Sequence, residues 1–477
     1  MDPVNMSISS VGIDIGSTTT QLVFSRLVLG YPEGSQKLDV VCREITYLSP
    51  VSLTPFTGTT IDEGALSSLI SSAYTEADQD PEDVETGAII ITGVAATREN
   101  ARRITGFFAE RGGRFVCATA GPNYEAVLAA HGSGAVLRSS TERSTVMNVD
   151  VGGGTTKLAV VRNGEVMDTA SLYVGARHVV LDESDRLVRV ERPAELVAES
   201  VGLSLEVNEV FPERDQRAFA ASLAGCLFEV MERGSLSLLT ESLLVTPPLS
   251  YAGGVDAIFF SGGVSEYIYG RESRDFGDLG RLLGEEIMRR AQAFDVSIEE
   301  PAEGIRATVI GESQYTLQVS GSTTLISNAK LLPLRNLPVV SPKFQSVQLS
   351  EETMTCEIRR AMELHDLRGD DAFALAFSRE VISRPSYELM QRLCRAIYNS
   401  IEGCPDAVPV VLVFEADIGM GMGRVFSEEV APGRSLVSID EIKLHDFNFV
   451  DIGEPSWERG FIPVVVKSLV FPNGLSR

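Results

Sequence analysis

Two short stretches of this 477-residue chain set an aspartate beside a run of glycine, serine and threonine. VGIDIGSTTTQLVF covers residues 11–24, and MNVDVGGGTTKLAV covers residues 147–160. Laid together without a gap, 136 residues apart, Asp14 falls on Asp150, Gly16 on Gly152, Thr19 on Thr155 and Leu22 on Leu158. Apolar residues lead into each aspartate and β-branched residues lead away, so each stretch predicts a buried strand, a tight turn and a returning strand. Glycine at such a tip lets backbone N–H groups converge, and that concavity favours an anion such as phosphate. A carboxylate just before the turn would repel phosphate directly. It suits a site in which Mg²⁺ or its waters lie between, because Mg²⁺ is usually held by one or two carboxylates plus phosphates. Thr18, Thr19, Gly154 and Thr155 add small side chains or bare backbone where a polyphosphate could lie. One copy alone reads as a hairpin with aspartate as a turn former. Two copies in matching contexts point to a divided nucleotide site.

Other phosphate-binding schemes fit poorly. No G-x-x-x-x-G-K-[ST] occurs, which excludes a Walker-type loop, and no G-x-G-x-x-G follows the first strand. A third acidic triplet, Asp451-Ile452-Gly453, is followed by Glu454 and Pro455 and is expected to be a surface turn.

The elements around the turns also recur. AIIITG (88–93) and AIFFSGG (257–263) both read as buried strands ending in glycine. CATAGPNYEAVLAAHGSG (117–134) and ATVIGESQYTLQVSGS (307–322) both read as strand, glycine, helix and glycine, with Gly121 matching Gly311. Two similar domains with the acidic turns on opposing walls of a cleft are therefore expected. Pro333, Pro338 and Pro342 cluster in LLPLRNLPVVSPK and suggest a boundary near residue 335. The expected units are 1–145, 146–335 and 336–477. In the last, strand-like AFALAF (372–377), helix-like SYELMQRLCRAIYNSI (386–401), and strand-like VPVVLVFEA (408–416) and SLVSIDEI (435–442) alternate. That order predicts a smaller α/β domain with a partly parallel sheet.

Composition bounds the class. Apolar residues make up 44% and aromatics 7%, as in a globular chain, and no apolar run approaches the ~20 residues of a membrane span. The opening MDPVNMSISS reads as lacking a secretion signal. Six scattered cysteines without CxxC spacing suit a reducing cytosol and argue against a zinc or iron–sulfur centre. A formal charge of −25 opposes binding to nucleic acid or an anionic membrane; a basic protein partner is the compatible alternative.

DIGSTTTQLV, DVGGGTTKLAV, FFSGGVSE and VIGES resemble the phosphate-1, phosphate-2, adenosine and second connecting motifs of the actin, hexokinase and chaperone ATPase superfamily. EAVLAAHGSG is similar to its first connecting helix, and the pattern covers roughly residues 8–330. Within that superfamily, VGIDIGSTTTQLVFSRL, GAIIITG, VDVGGGTTKLAVV, RATVIGE, LPLRNLPV and VDIGEPSW…PVVVKSLVFP resemble the reactivating factors of ethanolamine ammonia-lyase, the EutA family, over essentially the whole chain.

The resemblance implies duplicated actin-like (ribonuclease H-like) ATPase domains and an ATP- and Mg²⁺-dependent chaperone. Such a chaperone releases damaged corrinoid from an adenosylcobalamin-dependent lyase so that intact coenzyme can enter. Carried over, Asp14, Gly16, Ser17, Thr18 and Thr19 would hold phosphates and metal on one wall. Asp150, Gly152, Gly153, Gly154 and Thr155 would do so on the other, and Gly262, Gly263 and Gly311 would let backbone approach the adenosine. Glu125 stands where actin has a water-placing glutamine, so the resemblance makes it a candidate to orient the attacking water; the alternative is a first-turn glutamate stabilising its helix. The implied location is the bacterial cytoplasm, within or at an ethanolamine microcompartment.

Other branches of the superfamily fit less well. His131 and His178 stand alone rather than as a metal-binding pair, and the cysteines are not clustered. The cobalamin signature D-x-H-x-x-G is absent around His365, so no stable histidine-ligated cobalamin is expected. A sugar or small-acid kinase is the chief competing class.

Overall fold

The computed structural model describes residues 6–16, 19–30, 39–50, 52–57, 60–81, 83–84, 86–91, 115–119, 121–294, 296–301, 312–319, 324–344, 350–367, 371–379, 382, 385–445, 448–453 and 462–470. Their strands form three main sheets.

The first sheet contains β1 (Met6–Ile15), β2 (Thr19–Gly30), β3 (Asp39–Leu48), β4 (Thr86–Ile91) and β5 (Phe115–Thr119), ordered β3-β2-β1-β4-β5. The second contains β6 (Thr145–Val151), β7 (Thr156–Arg162), β8 (Glu165–Leu172), β9 (Ala257–Ser261) and β10 (Ser297–Glu299), ordered β8-β7-β6-β9-β10. Polarity matches as well as order. In each sheet the central strand runs antiparallel to the strand after it and parallel to the fourth. The repeat in sequence is thus a repeat in topology, and the expected duplicated α/β architecture is present.

Alternation explains where the aspartates point. Val11, Ile13 and Ile15 of β1 join the core under α1 (Glu63–Glu76), which leaves Asp14 on the other face. Met147, Val149 and Val151 of β6 pack in the core with α4 (Glu213–Glu232) and α5 (Gly280–Ala291). Val146, Asn148 and Asp150 alternate with them and share the face covered by α2 (Pro122–Gly132) and α3 (Ala135–Glu142), where Ala126, Ala130 and Ala135 meet Val146, Ala159 and Val161. Alanine on α2 keeps the helix close to the sheet, so the polar residues of that face are buried.

The third sheet is ordered β11-β18-β17-β13-β14-β15-β16-β12. Its strands are β11 (Glu312–Val319), β12 (Leu325–Ile326), β13 (Leu334–Val340), β14 (Ala374–Phe377), β15 (Val410–Phe414), β16 (Leu436–Ile439), β17 (Asn448–Ile452) and β18 (Pro463–Val470). β13 to β16 run parallel, with α6 (Glu351–Leu364), α7 (Tyr387–Ser400) and α8 (Gly419–Arg424) in the crossovers, as the carboxy-terminal alternation predicts.

Two expectations of local structure are corrected, and one expected division meets a strand. Residues 312–319, expected to begin a helix after Gly311, are a strand paired antiparallel with β18; ladder hydrogen bonding from the chain's far end decides the state of that segment. This pairing and that of β12 carry the third sheet upstream of the expected division near residue 335, which falls inside β13. Asp451, expected in a surface turn, lies in β17, where Oδ2 is 2.8 Å from Nζ of the buried Lys467 and Oδ1 accepts the N–H of Asn336 at 2.7 Å.

Candidate functional site

The second acidic turn is held rigidly from both sides. Gly152 N–H donates to the carbonyl of Thr155 at 3.0 Å, closing the turn. The chain at 175–177 lies directly against it: the Gly152 carbonyl accepts Ala176 N–H at 3.1 Å, the Gly153 carbonyl accepts Arg177 N–H at 2.6 Å, and a Cβ on Gly175 would stand 2.4 Å from the Gly153 oxygen. Thr156 Oγ1 donates to the carbonyl of Val174 at 2.8 Å. A Cβ on Gly154 would meet nothing, and among the described residues no backbone carbonyl accepts from the N–H groups of Gly153 or Gly154. Carbonyls tied back and amides left over are the arrangement an anion requires.

Asp150 closes one end of this turn. Its carboxylate is buried, and Oδ1 accepts from Ser261 Oγ at 2.8 Å on the neighbouring β9; Asn148 Nδ2 donates to the same hydroxyl at 3.2 Å. Burial lifts the Asp150 carboxyl above the ordinary range, opposed by Lys157, reinforced by Glu125, and opposed again by the Ser261 hydrogen bond. Lys157 stands directly across the β6–β7 ladder from Asp150, and its Nζ contacts Oε1 of Glu125, in the first turn of α2, at 2.5 Å. Both side chains are almost wholly buried, at 7% and 6% exposure. Glu125 is therefore not an exposed helix-end glutamate. Asp150, Lys157 and Glu125 form one buried charged cluster beside the glycine turn.

The first turn repeats part of this plan. Asp14 faces Gln21 across the β1–β2 ladder, in the same position as Asp150 and Lys157, and is half-buried. Thr54 Oγ1 donates to the Gly16 carbonyl at 2.7 Å and lies 3.0 Å from Thr20 Oγ1, pinning the turn from outside. Thr19 begins β2, while Ser17, Thr18 and Gly311 lie outside the described residues.

The adenosine-like motif follows β9. Gly262 has φ +82°, and a Cβ there would stand 2.5 Å from the carbonyl oxygen of Val151. The absence of a side chain at Gly262 is thus used by the close approach of β6, whereas Gly263 is exposed with open space around it.

His131 and His178 are both held down near 4 by burial, His131 also by Lys343. Among the described residues no three His, Cys, Asp or Glu side chains gather to hold a metal ion. Each turn offers one carboxylate, Asp14 and Asp150, and a hard cation such as Mg²⁺ held by one or two carboxylates needs phosphate oxygens or water to complete its shell. Lys157, Ser261 and Asn148 escaped the motif reading. The signal for Lys157 was present: the spacing that places Asp14 on Asp150 also places Gln21 on it, and it is a cation directly before the apolar run Leu158 to Val161.

Twin sheets of one order, each with an acidic, glycine-rich hairpin at its central strand, define a duplicated α/β protein. Residues 6–472 match the family described as ethanolamine utilisation protein EutA, and the chain belongs to that family. It is 35% identical to ethanolamine ammonia-lyase reactivase EutA of Salmonella typhimurium and 34% identical to that of Escherichia coli, in each case covering 97% of this chain and 98% of the relative. Likenesses to solved structures are fainter. The Ppx/GppA family member of Aquifex aeolicus is 15% identical with a TM-score of 0.38, covering 64% of this chain and 96% of that one. The ethanolamine utilization protein EutJ of Carboxydothermus hydrogenoformans is 14% identical with a TM-score of 0.31, covering 63% and 87%. Family membership rests on the sequence relatives.

Proposed function

We propose that the chain is an ATP-dependent reactivase of adenosylcobalamin-dependent ethanolamine ammonia-lyase, working in the bacterial cytoplasm, within or at an ethanolamine microcompartment. The single observation that carries this reading is near-full-length identity, about a third of positions, to two proteins of that name. The buried cluster around the second glycine turn supports its nucleotide half. Bound Mg-ATP would supply a phosphoanhydride whose cleavage removes the ligand contacts of one conformational state.

The residues would act as follows. Asp14 and Asp150 hold the metal or its waters, Gly16 to Thr19 and Gly152 to Thr155 cradle phosphates, and Gly262, Gly263 and Gly311 shape the adenosine end. Lys157 fixes the Glu125 carboxylate where it can orient the attacking water, and offsets part of the negative charge that Glu125 and Asp150 concentrate there. Nucleotide bound to both turns would favour one closure of the two sheets, and the client lyase would be engaged differently in the ATP and ADP states. The test is to add the protein to cyanocobalamin-blocked ethanolamine ammonia-lyase with fresh adenosylcobalamin, with and without Mg-ATP. Recovery of deamination only with Mg-ATP is expected; no recovery, or ATP turnover driven by a sugar instead, refutes the reading.

A further inference from the structure

The carboxy-terminal unit reaches the same cluster by a route outside the twin turns. The end of α6 brings Glu363, His365 and Asp366 to the first turn of α2, the helix that carries Glu125. Oδ2 of Asp366 accepts the backbone N–H of Tyr124 at 2.6 Å, and Asn123 Nδ2 donates to the Glu363 carbonyl at 3.3 Å. The His365 ring stacks on Tyr124, with centroids 5.3 Å apart and planes at 24°. The fit requires glycine at position 121, where a Cβ would stand 2.5 Å from Cβ of Asp366. Gly121 caps α2 and has no side chain to offer, so a carboxylate from another unit supplies the acceptor that the helix N-terminus lacks. Arg360 bonding to the Met167 carbonyl and Lys343 pairing with Glu165 at 3.1 Å fasten the carboxy-terminal unit to β8, the strand against which α2 packs.

We infer that Asp366 is a positioning residue for ATP turnover: by capping α2 from the carboxy-terminal unit, it sets where Glu125 stands against Lys157 and Asp150. This rests on the ATPase reading above, and it gives the carboxy-terminal unit a direct hold on the nucleotide site.

The clasp has its own pH response. Burial lifts the Asp366 carboxyl to about 7; the N–H groups of Tyr124 and Asn123 lower it, and the Glu125 carboxylate adds to the rise. The groups facing it are Tyr124 and Glu125 on α2, with Glu363 and His365 beside it; buried His365 sits near 4 and stays neutral. If the clasp opens, Asp366 returns to the ordinary carboxylate range. The closed form therefore holds the extra proton. Closure is favoured at acid pH, weakens as pH rises from about 4 to 7, and is level above that.

The test uses the full chain. Steady-state kcat and KM for Mg-ATP are measured from about pH 5.5 to 8.5, alongside amide hydrogen exchange in α2. Asp366→Ala removes the acceptor: kcat should fall by about tenfold, in line with a misplaced catalytic group, while KM changes little and exchange in the first turn of α2 quickens. Asp366→Asn keeps an acceptor but no charge. It should retain kcat, and the ratio of wild-type to Asn rates should fall up to about pH 7 and then level off. Unchanged kcat and exchange in Asp366→Ala, or a ratio flat across the range, overturns the clasp. A wild-type chain that never hydrolyses ATP overturns the ATPase reading instead, and the exchange measurement then decides the clasp alone.

Discussion

Replacing Lys157 by methionine tests the buried cluster most directly. Methionine keeps most of the lysine stem and removes its charge, so packing changes little while Glu125 and Asp150 lose their shared cation. Deleting one partner of a buried ion pair costs about 3–5 kcal/mol, because the remaining charge is left uncompensated. Against a typical folding stability of about 5–15 kcal/mol the loss is large, and at about 2–4 °C per kcal/mol for a unit of this size the midpoint should drop by about 10 °C. The penalty should also depend on pH. Burial already lifts the Asp150 carboxyl, and without Lys157 it loses the charge that opposes that rise, so the folded variant binds more protons than the unfolded chain. Its stability then falls as pH rises, and the deficit should be greatest near pH 8 and shrink toward pH 5. In Glu125→Gln the lysine still has Asp150 to pair with, so that variant should lose less stability while ATP hydrolysis slows about tenfold or more. The double variant should be less damaged than the sum of the two single changes, as expected for residues in contact. Differential scanning calorimetry at several pH values, with an ATPase assay, measures all of this. A Lys157→Met protein within about 1 kcal/mol of wild type at pH 8, or a deficit independent of pH, would refute the cluster as drawn.

Asp14→Ala and Asp150→Ala should each sharply reduce ATP hydrolysis and reactivation while the fold survives, since both lie at strand ends opposite the main apolar cores; retained reactivation in both would sink the divided site. Gly262→Ala must place a Cβ 2.5 Å from the Val151 carbonyl at φ +82°, so thermal unfolding should show a loss of about 1–3 kcal/mol even without nucleotide; an unchanged midpoint would show that β6 yields.

The duplicated turns were legible because they are local: a strand, a glycine tip and a returning strand need only neighbouring residues, and the apolar alternation already places Asp14 opposite Val11, Ile13 and Ile15 and Asp150 opposite Met147, Val149 and Val151. The parallel run β13 to β16 was legible for the same reason, each strand and helix carrying its own period. What the chain order does not contain is pairing between distant segments. Residues 312–319 look no more like a strand than a helix until β18, some 150 residues on, offers a ladder, and Asp451 looks like a turn until Lys467 is buried beside it. Glu125 reads equally as a helix-end charge or a catalytic one; only the packing of α2 on the second sheet, which brings Lys157 to it across 32 positions, makes it part of the site. The Asp366 cap depends on a contact spanning 242 positions. Burial turns such meetings into chemistry, because a charge removed from water must find its counterpart wherever the fold has carried it.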